Sequence, residues 1–119
     1  NKELIGVEAV IDKDLASECL ASSLKFDEII IITDINKVAI NYKQKNQKFL
    51  DNLKLKDAKK YLKEGQFPSG SMGPKIEASI KFLEKNGKKV IITNIENIGK
   101  SIKGLNGTMI TKWKREWLF

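Results

Sequence analysis

The sequence predicts an α/β fold: a largely parallel sheet with helices on both faces. Three observations lead there. Short β-branched apolar runs, "EIIIIT" at 28–33, "KVAINY" at 37–42 and the end of "NGKKVIIT" at 88–93, alternate along the chain with segments of helical periodicity. These runs are almost continuously apolar instead of alternating, which marks strands covered on both faces. With 119 residues, 41% hydrophobic and 31% charged, the chain is sized and composed as one globular domain.

The elements follow in order. From Lys13 to Leu24 apolar residues recur at intervals of three and four, and Asp12 or Asp14 can cap the start of that helix. "EIIIIT" is too short for a helix and reads as a buried strand; "KVAINY" is a second, shorter strand, and "KQKNQK" a polar loop. Leu55, Ala58, Tyr61 and Leu62 share one face of a helix that Gly65 can close, although Lys54 and Lys56 stand where a Ser, Thr or Asp cap would serve better. Pro74 suits the first turn of the next helix, on which Ile76, Ile80 and Leu83 are in register. After the strand at 88–93 come a short helix over about 95–102, the turn "GLNGT" and a last strand, "TMIT". The domain spans 1–112, and "WKREWLF" at 113–119 forms a basic, aromatic tail with the character of a packing extension.

Composition narrows the chemistry. Lys and Arg number 22 against 15 Asp and Glu, so a formal +7 favours anionic partners, whether nucleotides, phosphorylated metabolites, nucleic acid or a membrane surface, and composition does not choose among them. The absence of histidine excludes an imidazole base, a Ser-His-Asp triad and a histidine-rich zinc site within this chain. Cys19 is the only cysteine, so no internal disulfide forms, and its apolar neighbours at helical spacing make it a small core residue. No apolar run is long enough to span a bilayer and no leader pattern is evident, so a cytoplasmic setting is expected. Nucleic-acid binding, suggested only by the net charge and the tail, is disfavoured.

Two stretches carry candidate chemistry. "IDKD", residues 11–14, sets Lys13 between two aspartates at a strand-to-helix junction, and "GQFPSGSMGPKIE", residues 65–77, sets Lys75 at the start of another helix. The second stretch is not a P-loop, because Ser71 stands where the Walker lysine belongs after Gly65 and Gly70. Junctions on one sheet edge would bring both lysines to one anion, as phosphoryl transfer requires: the transferred group spreads negative charge, and fixed cations with helix N-termini stabilise it. Asp14 would hold the lysines in place and keep them protonated. Spacing alone favours a plainer account, with Asp12 and Asp14 as caps, Gly70 and Gly73 as turn residues and both lysines solvated.

Resemblance changes that balance. "VEAVIDKDLAS", "IIIITDINKVAINY", "AKKYLKEGQFPSGSMGPKIEASIKFLE" and "GKKVIITNIENI" resemble, in order and spacing, segments from the C-terminal half of carbamate kinases, members of the amino acid kinase family. The likeness runs from Gly6 to about Ile110; "VIDKDLAS" with "FPSGSMGPK" is its specific part, while the strand-rich remainder would fit acetylglutamate or uridylate kinases as well. The resemblance implies that Lys13 stabilises phosphate, that Asp14 orients the active-site lysines, and that Lys75 contacts the terminal phosphates of ATP. It places Asp34, Val38 and Ala39 at the adenosine-binding strand junction, and Gly70, Ser71 and Met72 in the loop that closes over the nucleotide. It implies ATP with magnesium, no protein-held metal, and interconversion of ATP and carbamate with ADP and carbamoyl phosphate, in arginine or purine-derived catabolism.

Two departures from the family pattern stand out. Lys37 in "TDINK" takes a position that is usually glycine, which is expected to alter the turn beside the nucleotide. The family's N-terminal half, with its glycine-rich loop and a further lysine, is missing from this sequence, which also lacks an initiator methionine. The expectation is therefore a nucleotide-binding half, inactive alone and able to self-associate through the surface the other half covers. The rivals are a non-catalytic nucleotide-binding module and a kinase of the same family with another acceptor.

Overall fold

The computed structural model describes residues 20, 24–67 and 72–112. Lys13, Asp14 and Cys19, the turn residues Gly70 and Ser71, and the tail at 113–119 lie outside them. The chain is α/β, as expected. A four-stranded sheet has the order β1-β5-β6-β4, with β1 at Glu28–Ile32, β4 at Asn52–Lys54, β5 at Lys89–Thr93 and β6 at Thr108–Thr111. β1 runs parallel to β5, pairing Glu28 with Lys89 through Ile32 with Thr93, and β4 runs parallel to β6. The central pair, β5 with β6, is antiparallel.

This topology decides where a ligand can sit. Because β6 runs against β5, its amino end, Thr108, lies beside Ile92 near the carboxyl end of β5. One edge of the sheet therefore collects the segment leaving β1, the segment leaving β5, and the turns entering β6 and β4. Open α/β sheets bind ligands at such an edge.

The expected strand at 37–42 is shorter than predicted. Only β2, Ala39–Ile40, is extended, and it pairs antiparallel with β3, Lys48–Phe49, in a separate two-stranded sheet. Neither β3 nor β4 was foreseen, since two or three residues carry no readable periodicity. β1 is also less buried than a continuous apolar run suggests. Ile31 is buried, whereas Ile30 and Ile32 on the opposite face are 39% and 41% exposed; β5, with neighbours on both sides, buries Val90 through Thr93 on both faces.

α1, Leu55–Lys63, begins without a side-chain cap at Lys54 and closes at Gly65, whose φ of 80° is the left-handed conformation that glycine adopts without steric cost. It packs on α2, Met72–Glu84, and the Lys59 ammonium reaches the Glu84 carboxylate across the pair. Ile76, Phe82 and Leu83 of α2 are fully buried and join Val90, Ile92 and Ile110 of the sheet in one core. Ser79, also buried, donates its hydroxyl to the Lys75 carbonyl one turn back at 2.7 Å, so that hydroxyl is satisfied within the helix. A 3-10 turn at Ile95–Asn97 and α3, Ile98–Ile102, fill the interval between β5 and β6.

Candidate functional site

A cavity of about 210 Å³ opens at the carboxyl edge of β1. Three chain segments form it. Thr33, Asp34 and Ile35 come from the loop leaving β1; Ala39, Tyr42 and Phe49 come from the β2–β3 hairpin; Gln66, Phe67 and Met72 come from the connection between α1 and α2. Its lining is mostly apolar, with Phe67 and Met72 buried at its base, while Tyr42 and Phe49 on the hairpin are 53% and 56% exposed. Large aromatics left half in water beside a slot suit a flat ring that can slide between them.

The hairpin is held at a set distance from the helices. Gln66 accepts the Asn41 backbone N–H at 2.9 Å and donates to the Asn41 side-chain carbonyl at 3.3 Å, joining the hairpin to the end of α1. Asn41 and Lys43 both take left-handed φ values, 53° and 62°, and Lys43 N–H is received by the Gln47 side chain at 2.7 Å. The Lys43 ammonium lies 5.5 Å from the centre of the Tyr42 ring, a cation–π contact that orients the ring from outside. Thr33 donates its hydroxyl to Asp34, the exposed carboxylate of the cavity.

α2 begins at this cavity. A helix N-terminus carries partial positive charge and free N–H groups, so Asp or Glu in the first turn is stabilising. The first turn of α2 has no acid and carries Lys75 instead. Lys75 is half-buried and follows Met72 by three residues, so the two share a helix face, Met72 lining the cavity. A helix N-terminus of this kind is receptive to an anion through its free N–H groups.

Among the residues proposed from sequence, Asp34, Ala39 and Met72 line the cavity, and Lys75 stands one turn behind it. Val38 does not line it. It is fully buried behind the loop, its N–H held by the Thr108 hydroxyl at 2.8 Å. Thr33, Ile35, Tyr42, Phe49, Gln66 and Phe67 also line it without having been singled out; of these, only Tyr42 and Phe49, aromatics flanking a lysine-rich hairpin, carried a readable signal. Lys37 faces elsewhere. It lines a second, more polar cleft of about 360 Å³, with Asn52, Asn106 and Asp51, and pairs with the Asp51 carboxylate at 2.5 Å. Among the described residues the left-handed non-glycine positions are Lys25, Asn41, Lys43 and Asn86, so Lys37 occupies its turn without backbone strain.

No group of three or more acidic, histidine or cysteine side chains that could hold a metal occurs among the described residues. Nor is any helix there long and apolar enough to cross a membrane.

The model of the amino acid kinase family matches residues 2–94. The chain is 45% identical over 111 residues to carbamate kinase of Thermoplasma acidophilum and 46% identical over 111 residues to carbamate kinase 3 of Staphylococcus aureus. These alignments take in 93% and 92% of this chain and 36% of each relative, so the chain spans about a third of their length. The structure of carbamate kinase from Giardia lamblia bound to AMP-PNP superposes with a TM-score of 0.84 at 42% identity, over 93% of this chain and 35% of that one.

Proposed function

The chain belongs to the amino acid kinase family, and on that premise we propose that it forms the nucleotide-holding part of a carbamate kinase-like phosphotransferase. The reaction is transfer of the terminal phosphoryl group between ATP and carbamate, in either direction, with ADP and carbamoyl phosphate as the other pair. The supporting observation is the junction of an aromatic-walled slot with an acid-free helix N-terminus bearing Lys75. The slot suits a nucleobase, and the helix end suits the phosphates attached to it. A relative of similar fold, from Giardia lamblia, is described as bound to AMP-PNP, a nucleotide analogue.

In this reading the base lies between Tyr42, Phe49 and Met72, beside Ala39, with Val38 supporting the wall from behind. Asp34 and the segment Gly70, Ser71 and Met72 bracket the nucleotide, and Lys75 faces its terminal phosphates. Lys13 neutralises charge on the phosphoryl group in flight, and Asp14 sets the lysine positions. Such transfer needs little covalent chemistry from the protein; positioned cations and helix N–H groups lower the barrier by matching charge spread over the equatorial oxygens. Magnesium enters as part of the nucleotide substrate, neutralising phosphate charge and needing one or two carboxylates at most. Residues that hold carbamate belong to the part of the fold outside this chain, so the chain alone is expected to bind nucleotide without turnover.

Calorimetric titration with Mg-ADP tests this. The folded wild-type chain should bind saturably, and Lys75→Ala should weaken binding by about tenfold or more, the range for a hydrogen bond to a charged group. No binding by the folded chain, or an unchanged affinity in the lysine variant, rejects the reading.

A further inference from the structure

Six side chains at the carboxyl edge form one hydrogen-bonded network, and no role assigned so far uses it. Ser101 donates to the Thr93 hydroxyl at 2.7 Å, and the single Thr93 proton has two acceptors at 3.5 Å, the Asn36 side-chain carbonyl and the Asn94 backbone carbonyl. The Asn36 amide donates to Asn106, Asn106 donates to Asn97 at 2.9 Å, and Asn97 donates to Asn94 at 2.7 Å. The four asparagines thus form a directed chain, an arrangement in which the bonds polarise one another. The network joins the loop leaving β1, the segment from the end of β5 through α3, and the turn entering β6.

Asn106 is the pivot. Its carbonyl accepts both the Asn36 amide and the Gly107 backbone N–H, the latter at 3.0 Å, while its own amide donates to Asn97. It can be held this closely because Gly107, at φ 77°, packs where a Cβ would lie 2.8 Å from the Ser101 hydroxyl oxygen and 3.0 Å from the Ile92 carbonyl. Asn36 follows Thr33, Asp34 and Ile35, the three loop residues that line the nucleotide cavity, whereas Asn106 lines the other cleft. The end of the loop is thus tied to a residue that lines the other cleft.

We propose that Asn106 is a positioning residue: acting through Asn36, it holds the loop at 33–36 in the geometry that accepts the nucleotide. This rests on the nucleotide reading, and the test separates the two. Amide hydrogen exchange and chemical shifts of 33–36 are compared in wild type, Asn106→Ala and Asn106→Asp without ligand, and Mg-ADP affinity is measured on the same samples. The Val38 N–H, held independently by Thr108, reports that folding is intact. Asn106→Ala should speed exchange at 33–36 and weaken Mg-ADP by about tenfold, the size expected for an unsatisfied part-buried amide. Asn106→Asp keeps both acceptor roles but loses the donor to Asn97, so it should restore affinity in part, to a level clearly above that of Asn106→Ala. Asn36→Ala breaks the same bond from the loop side, so it should reproduce the defect, and the double variant should lose no more than either single one.

Unchanged exchange at 33–36 in Asn106→Ala overturns the proposal. So does faster exchange with unaltered affinity, an Asp variant as weak as Ala, or additive losses in the double variant. A wild-type chain that binds no nucleotide refutes the nucleotide reading instead, and the ligand-free exchange then decides whether Asn106 holds the loop.

Discussion

Replacing Gly87 by alanine sets two opposed effects against each other. Gly87 has no left-handed φ, so alanine can adopt its backbone, and fewer unfolded conformations would ordinarily stabilise the protein by about 0.4–1 kcal/mol. The new Cβ, however, would lie 2.3, 2.4 and 2.7 Å from three carbons of the Phe82 ring. Ordinary carbon contacts are about 3.5 Å, so the ring must retreat by roughly 1 Å. Phe82 is fully buried in the core, and Gly87 is tied to it by its own N–H, which donates to the Phe82 carbonyl at 2.9 Å. Overpacking of this kind costs about 1–3 kcal/mol. The packing term wins, leaving a net loss of about 1.5 kcal/mol and a fall in Tm of about 6 °C for a domain of this size. Chemical denaturation of wild type, Gly87→Ala, Phe82→Leu and the double variant measures it. In the leucine background the alanine should be neutral or stabilising, a coupling of about 1.5 kcal/mol. A neutral or stabilising Gly87→Ala in the wild-type background, or strict additivity in the cycle, would show that the overlap does not set the stability.

Tyr42→Ala and Phe49→Ala remove half-exposed rings, so stability should change by no more than about 0.5 kcal/mol, while loss of stacking of about 1–3 kcal/mol should weaken Mg-ADP by about five- to hundredfold in calorimetry. Thr108→Val should lower stability by at least about 2 kcal/mol, because the buried hydroxyl receives the Val38 N–H and donates to the Leu50 carbonyl at 2.6 Å, leaving two groups unsatisfied; Thr108→Ser, which keeps the hydroxyl, should recover most of that in a denaturant titration. Lys37→Gly should change Mg-ADP affinity less than about twofold, since the lysine faces the second cleft and its exposed ion pair is worth at most about 1 kcal/mol; a large loss would place Lys37 in the nucleotide site.

Much of this molecule was legible residue by residue. The register of Leu55, Ala58, Tyr61 and Leu62 marked α1 and Gly65 its end, because a helical stripe and a left-handed closing residue are local requirements. The apolar runs at 28–33 and 88–93 marked β1 and β5, and "FPSGSMGPK" pointed to the helix start on which Met72 and Lys75 stand. At the end of α2 the pattern was subtler: Asn86, at φ 82°, takes the left-handed position often given to glycine, and Gly87 is small because Phe82 lies against it. No neighbour in sequence carries that second requirement.

The sequence by itself determined the α/β class, the long helices and the central strands, because periodicity and capping act within a few residues. Only the tertiary structure decided that β6 runs against β5, that Tyr42, Phe49 and Met72 line one cavity, that Lys37 turns to a different cleft, and that Asn36 and Asn106, 70 positions apart, share one hydrogen bond. Those outcomes depend on which distant groups the packed core brings within about 3 Å, where hydrogen bonds and van der Waals contacts act.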